Sequence, residues 1–230
     1  MSLQVLVPMA GAGSRFAEAG YHAPKPFIYA EGKPLIAHVL DDVRRAFDDR
    51  SRIVCLAGQE HRPYTKWFSR LDPGPYFEFI EGKTEGAACT ALLAEQHFHA
   101  DRPLLIANSD QTFRAAVPRL TGAAAVLTFE PPLKDASKWS YLLPDGKIVE
   151  KPEVIPESRR ATIGVYWFAR AGDFFDSARR MIAANDRTRG EFYLAPVLNY
   201  LPPGSRIEEV PVMSMHGLGT PEDLSAYESR

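Results

Sequence analysis

Cysteine is nearly absent: Cys55 and Cys89 are the only two among 230 residues, and both stand in apolar segments. Two residues cannot build a disulfide framework, so buried free thiols in a reducing compartment are expected. A long uninterrupted apolar run is also missing, and no early stretch joins a basic start to one. Neither a signal peptide nor a membrane span is expected, which leaves a cytoplasmic protein with no membrane partner. An excess of one charge is lacking as well. The formal net charge is -2, and Lys and Arg never gather into a long basic run. That balance excludes a polyanion-binding surface and with it a nucleic-acid partner. No repeat and no low-complexity tract interrupts the chain.

What remains is an alternation of short apolar runs and helical patterns. Leu3 to Val7 is too short for a core helix and ends at Pro8, which suits a buried parallel strand. After Pro34, the residues Leu35, Ile36, Val39, Leu40, Val43 and Phe47 recur at helical spacing. Strands are expected over Arg52 to Ala57, Tyr76 to Ile80 and Pro103 to Ala107, with a short helix around Tyr64 to Phe68 and another opening at Gly86. This alternation argues for right-handed crossovers onto a mainly parallel sheet. The second half is less regular. Ala123 to Phe129 and Thr162 to Phe168 read as strands, and Asp145-Gly146 reads as the turn of an inserted hairpin running from Trp139 to Glu150. Helices are expected over Ala171 to Ala184, over Glu191 to Leu201 and after Pro221, with a strand over Ile207 to Val212.

The most specific stretch is Pro8-Met9-Ala10-Gly11-Ala12-Gly13-Ser14-Arg15-Phe16, with Pro24-Lys25-Pro26 downstream. Gly11 and Gly13 let the backbone turn and expose amide hydrogens to anionic oxygens, while Arg15 and Lys25 offer positive charge to a triphosphate. A tight turn would need the glycines without any ligand, but it would not concentrate cations beside them. Two common schemes fail on spacing. A dinucleotide fingerprint requires a third glycine where Phe16 stands, and the phosphate loop of ATPases ends in Gly-Lys-Ser/Thr, not in Ser14-Arg15. Further on, Asp110 follows Ala107-Asn108-Ser109 at the end of an expected buried strand, where open α/β sheets bind ligands. Its alternative is to cap a following helix.

This opening block resembles that of the sugar-phosphate nucleotidyltransferases, or pyrophosphorylases. The resemblance continues in order at Asn108-Ser109-Asp110, Val149-Glu150-Lys151-Pro152, Gly164-Val165-Tyr166, Gly190-Glu191-Phe192-Tyr193 and Gly219-Thr220-Pro221-Glu222-Asp223. It implies a three-layer α/β/α Rossmann-like fold with a mainly parallel central sheet and an inserted β-hairpin region. It also implies one domain over 1–230, with 1–122 mainly binding the NTP and 123–230 mainly the acceptor. The implied cofactor is Mg2+ and the implied partners are an NTP and a small phosphorylated acceptor. By this resemblance Arg15, Lys25, Asp110 and Lys151 are catalytic, and Ala10, Gly11, Ala12, Gly13, Ser14, Gly86, Ala87 and Asn108 bind the nucleotide. Gly164 and Glu191 belong to the acceptor site, and Asp110 holds the metal. The aromatic neighbours Tyr166, Trp167, Phe192 and Tyr193 are expected in the core before the pocket.

One departure stands out. Many relatives carry a second metal aspartate where this chain has Gly217, leaving His216 or Asp223 as substitutes unless water completes the shell. Asp223 has capping of the last helix as its other role. The leading expectation is Mg2+-dependent transfer of a nucleotidyl group from an NTP, releasing pyrophosphate, with a sugar 1-phosphate as the first choice of acceptor. The alternatives are a cytidylyltransferase for a phosphomonoester such as phosphocholine, a metal-dependent glycosyltransferase, and a nucleotide-binding regulator without catalysis. The single aspartate of Asn108-Ser109-Asp110 weighs against the glycosyltransferase, and the four catalytic positions weigh against the regulator. The long C-terminal extension of some relatives is missing, so a second acyltransferase activity is not expected. A homodimer is an option, with Tyr64 to Phe68 or Phe174-Phe175 as its face.

Overall fold

The computed structural model describes residues 2–11, 13–47 and 51–230. In the first half, chain order gives β1 (Gln4–Pro8), α1 (Ser14–Glu18), β2 (Tyr29–Ala30), β3 (Lys33–Pro34), α2 (Leu35–Ala46), β4 (Arg52–Gly58), β5 (Tyr76–Ile80), α3 (Ala87–Leu92) and β6 (Leu104–Ala107). The second half adds β7 (Gln111–Arg114), β8 (Ala124–Phe129), β9 (Ser140–Leu142), β10 (Ile148–Glu150), β11 (Ala161–Phe168), α4 (Ala171–Ala183), β12 (Ile207–Pro211), β13 (Ser214–Gly217) and α5 (Pro221–Glu228).

The short apolar runs become central strands because both of their faces are covered. In β1, Leu6 joins one apolar cluster while Val5 and Val7 join another, and β4 and β6 divide in the same alternating way. Phe174, Phe175, Ala178 and Met181 of α4 close the first face; Ile36, Val39, Leu40 and Val43 of α2 close the second. Side chains of this size each contribute about 1.5–3 kcal/mol when buried, so the two faces supply most of the favourable energy. The result is three layers, helix on sheet on helix.

The central sheet runs β10-β9-β11-β6-β1-β4-β5, with β8 beside β11 and β12 beside β8. From β6 to β5 the strands are parallel, with Gln4 level with both Arg52 and Leu104. Strand β11 then runs antiparallel to β6, β8 and β9, while β12 returns parallel to β8. The expected hairpin forms as β9 against β10, with Ile148 opposite Leu142. It meets β11 through the pair Ala161 and Tyr141, and Asn199 clasps its other side. The Asn199 carboxamide accepts from Ile148 N–H at 2.8 Å and donates to Ile148 C=O at 2.8 Å, as a neighbouring strand would.

Several expectations are corrected. The helix over Glu191 to Leu201 reduces to a 3-10 segment at Ala195–Tyr200, because Glu191 instead forms a bridge with Thr188 and Phe192 N–H donates to Glu85 C=O. The short helix at Tyr64 to Phe68 is part of a longer 3-10 run, Gln59–Arg70. Phe174 and Phe175 cannot form a dimer face, being 0% and 2% exposed in the core. Cys55 is buried but Cys89 is only partly so, and both thiols are free. Burial pushes both thiols above their ordinary pKa. A feature without expectation is the small second sheet of β7 and β13, which starts directly after Asp110.

Candidate active site

The parallel strands β1 and β6 end at one edge of the sheet, and antiparallel β11 delivers Gly164 to that same edge. A cavity of about 1120 Å³ opens there. Its walls gather Ala10, Gly11, Arg15 and Lys25 from the first loop, then Gly86 and Ala87, then Asn108 and Asp110. Lys151, Gly164, Glu191, His216 and Asp223 complete the set from the other half. Gly13 and Ser14 do not line it, and Ala12 lies outside the described residues.

Gly13 has a different job. Its φ of 59° lets it enter α1 in the left-handed region, and a Cβ there would meet Lys25 Cβ at 3.2 Å. The loop therefore packs tightly against the lysine segment and fixes where Lys25 points. Lys25 Nζ donates to Asp110 Oδ2 at 2.8 Å, with the two side chains 21% and 30% exposed. Asp110 caps no helix, since β7 follows it at once. It is held from both sides of the backbone. Leu218 N–H donates to Asp110 C=O at 2.7 Å, and Asp42 Oδ2 accepts from Phe113 N–H at 2.9 Å to anchor β7.

Gly164 sits at a φ of 77° in a break of the β11 pairing between Thr162 and Tyr166. A Cβ at Gly164 would lie 2.3 Å from Asn108 Nδ2 and 2.9 Å from Gln111 Nε2, so two carboxamides converge over its bare Cα. Gly86 and Ala87 are placed by backbone bonds, with Ala88 N–H donating to Phe192 C=O at 3.0 Å.

On the opposite wall Lys151, at a φ of 45°, donates Nζ to Tyr193 Oη at 2.6 Å and lies 3.8 Å over that ring. Burial lowers the Lys151 pKa, Glu150 and Glu191 raise it, and Arg189 and Arg15 lower it further. Beside it, burial raises the Glu150 pKa against a hydrogen bond from Ser140 and the pull of Lys151. Tyr193 is pushed up to about 12, chiefly by burial and then by Glu191, so it stays a neutral phenol. Tyr193 thus belongs to the pocket, whereas Phe192 is core at 1% exposure. Tyr166 is buried yet reaches the cavity wall, its hydroxyl paired with Thr162 at 3.0 Å.

Sequence reasoning missed Gln111, Trp139 and Arg189, all of which line the cavity. Arg189 was the most findable, since it directly precedes the Gly190-Glu191 motif. Gln111 and Trp139 carry no motif. They stand out only in the folded chain, where Gln111 Nε2 and Trp139 Nε1 are buried without a hydrogen-bond partner.

A strand-end cavity with a lysine–aspartate pair on its floor and cations on two walls suits a reaction between phosphates. The chain belongs to the nucleotidyl transferase family, whose pattern matches residues 5–192. It is therefore an enzyme of the nucleotidyltransferase class. Over 99% of its length it is 22% identical to UTP–glucose-1-phosphate uridylyltransferase AglF of Haloferax volcanii, covering 96% of that protein. The fold is that of a nucleoside-diphosphate-sugar pyrophosphorylase from Vibrio cholerae RC9, with a TM-score of 0.83 at 22% identity over 99% of this chain and 100% of the other. An inositol-1-phosphate CTP transferase from T. maritima shares it too, with a TM-score of 0.73 at 17% identity over 98% and 93% of the two chains. No helix among the described residues is long and apolar enough to cross a membrane.

Proposed function

We propose that this enzyme joins an NTP to a sugar 1-phosphate, giving a nucleotide sugar and pyrophosphate with Mg2+ as cofactor. The observation that carries the reading is the Lys25–Asp110 pair at 2.8 Å in the same cavity as Lys151 and Arg189. One end of such a site suits the NTP and the other a second phosphate. AglF, named for UTP and glucose 1-phosphate, supports a sugar as acceptor.

In the reaction a phosphate oxygen of the acceptor attacks the α-phosphorus. A new P–O bond forms, the bond to the bridging oxygen breaks, and the electron pair leaves on pyrophosphate. The attacking phosphate is already ionised at neutral pH, so no general base is required, and positioning and charge neutralisation carry the rate. Lys25 steadies the charge developing at the α-phosphoryl group, and Arg15 holds the β- and γ-phosphates as they depart. Ala10, Gly11, Gly86, Ala87 and Asn108 line the nucleotide. Lys151 and Arg189 hold the acceptor phosphate, with Glu191 at the rim. The buried Glu150 carboxyl beside Lys151 is placed to accept from acceptor hydroxyls, which a sugar offers and phosphocholine does not.

The donor set fits Mg2+. Asp110 offers hard carboxylate oxygen next to the phosphate-binding cations, and Mg2+ needs only one or two carboxylates when substrate phosphates and water supply the rest. When bound, the ion would neutralise phosphate charge and polarise the α-phosphoryl group toward attack. In this reading residues 1–122 mainly serve the NTP and 123–230 the acceptor within one domain, and the enzyme works in the cytoplasm.

The test is pyrophosphate release from each of the four common NTPs against a panel of sugar 1-phosphates and phosphocholine, with and without Mg2+. Mg2+-dependent release with a sugar 1-phosphate is expected, and Lys25→Ala should lower it by roughly 10²- to 10³-fold. Release with phosphocholine alone would transfer the reading to the cytidylyltransferase alternative. No release from folded protein with any pair would overturn it.

A further inference from the structure

We propose that Asp223 supplies a second carboxylate to the ion held by Asp110, reaching from α5 into the space left bare by Gly217 and Gly219. This rests on the Mg2+ reading above. The loop from β13 to α5 runs along Asp110 because Leu218 N–H is bonded to its carbonyl. At Gly219, an added Cβ would stand 3.5 Å from Asp110 Oδ2 and 3.8 Å from Asp223 Oδ2, so both oxygens border the same small volume. At Gly217 an added Cβ would touch Asp223 Oδ2 at 3.6 Å. A side chain grown from 217 and the carboxylate of Asp223 therefore occupy neighbouring space, and Asp223 gets there from another element.

Asp223 is free for this work. The cap of α5 is Thr220, whose hydroxyl accepts from Asp223 N–H at 3.1 Å, which corrects the expectation that Asp223 caps the helix. Its neighbour Glu222 is tied to the helix start by its own backbone N–H and the Thr220 hydroxyl, with burial opposing and Lys138 and Arg15 assisting. Among the described residues the Asp223 carboxylate makes no hydrogen bond and no ion pair. One further observation points to a cation at this spot. An ammonium group already sits on Asp110 Oδ2, marking it as a cation position. His216 is the weaker substitute. Its ring packs against Tyr227 at 6.0 Å, burial and Arg230 lower its pKa, and Mg2+ prefers oxygen to imidazole nitrogen.

The test is titration of Mn2+ alone into the intact protein, read by loss of the free-ion EPR signal, and repeated with a non-hydrolysable NTP analogue. Asp223→Asn keeps size and helix start, and is expected to weaken Mn2+ binding by roughly 10- to 100-fold. Gly217→Asp in the Asp223→Asn background should recover the binding, since β13 is extended there and has room for a side chain. A purely structural Asp223 would leave Mn2+ affinity unchanged on substitution and shift only the melting temperature. That result overturns the proposal while Asp110→Asn still abolishes binding and preserves the Mg2+ reading. Failure of the wild-type protein to bind Mn2+ in either condition would overturn both. Should Asp223→Asn fail to fold, Asp223→Ser is measured in its place by the same criterion.

Discussion

At the scale of single residues, Lys151 is the most informative. It is a half-buried ammonium stacked on a phenol, and burial, helped by Arg189 and Arg15 against Glu150 and Glu191, favours losing its proton. The sign follows directly. The lowered pKa means that Lys151 becomes neutral at a pH below the 10.5 of an ordinary lysine, and the hold on the acceptor phosphate proposed for it fades with that charge. The acceptor KM should therefore rise on the alkaline side before pH 10.5, while the NTP KM changes less. Lys151→Arg should flatten that rise, because a guanidinium stays charged. Steady-state kinetics for both substrates between neutral pH and the onset of unfolding check this. The lysine itself was legible in the sequence through Glu150-Lys151-Pro152. Its lowered pKa was not, because it depends first on burial in the folded chain and then on Arg189 and Arg15, which lie far along the sequence.

At the scale of elements, the strands were the easiest to read and the irregular segments the hardest. The apolar runs in β1, β4 and β6 announce themselves because a strand covered on both faces needs continuous hydrophobicity. The span Glu191 to Leu201 carries equally apolar residues, but a hydrogen bond from Phe192 N–H to Glu85 C=O and one from Ala88 N–H to Phe192 C=O take up the Phe192 backbone and leave only a 3-10 turn. Likewise β7 and β13 are too short and mixed to show a pattern, although they frame the departure point of Asp110. The clasp at Asn199 makes an element-level prediction. Asn199→Ala strips both partners from the backbone of Ile148, which is 3% exposed, and should cost about 1–3 kcal/mol. Chemical denaturation would measure that loss. Hydrogen exchange should show protection falling in β9 and β10 while β1 and β6 keep theirs.

At the scale of the whole molecule, ligand binding should report on the fold as a unit. An NTP that binds only the native state at about 100 times its Kd adds about 2.7 kcal/mol of stability. In a chain of this size that raises the melting temperature by roughly 5–10 °C. Thermal shifts with the four NTPs should single out one base, and Lys25→Ala should lose the shift. Equal shifts with all four would place base choice elsewhere than in the cavity floor.

The way the hairpin hangs on β11 has a consequence for how such an enzyme changes its customers. Strands β9 and β10 join the sheet through the pair Ala161 and Tyr141, the bond from Leu142 N–H to Arg160 C=O and the Asn199 clasp, while Asp110, with Lys25 bonded to it, follows a parallel strand on the far side of β11. A lineage, or an engineer, can rewrite the segment 130–160 around a retained Lys151 and leave Lys25 and Asp110 in register. Under the proposed function, new acceptors are then reached by exchanging a peripheral clip, with the Lys25–Asp110 pair inherited unchanged.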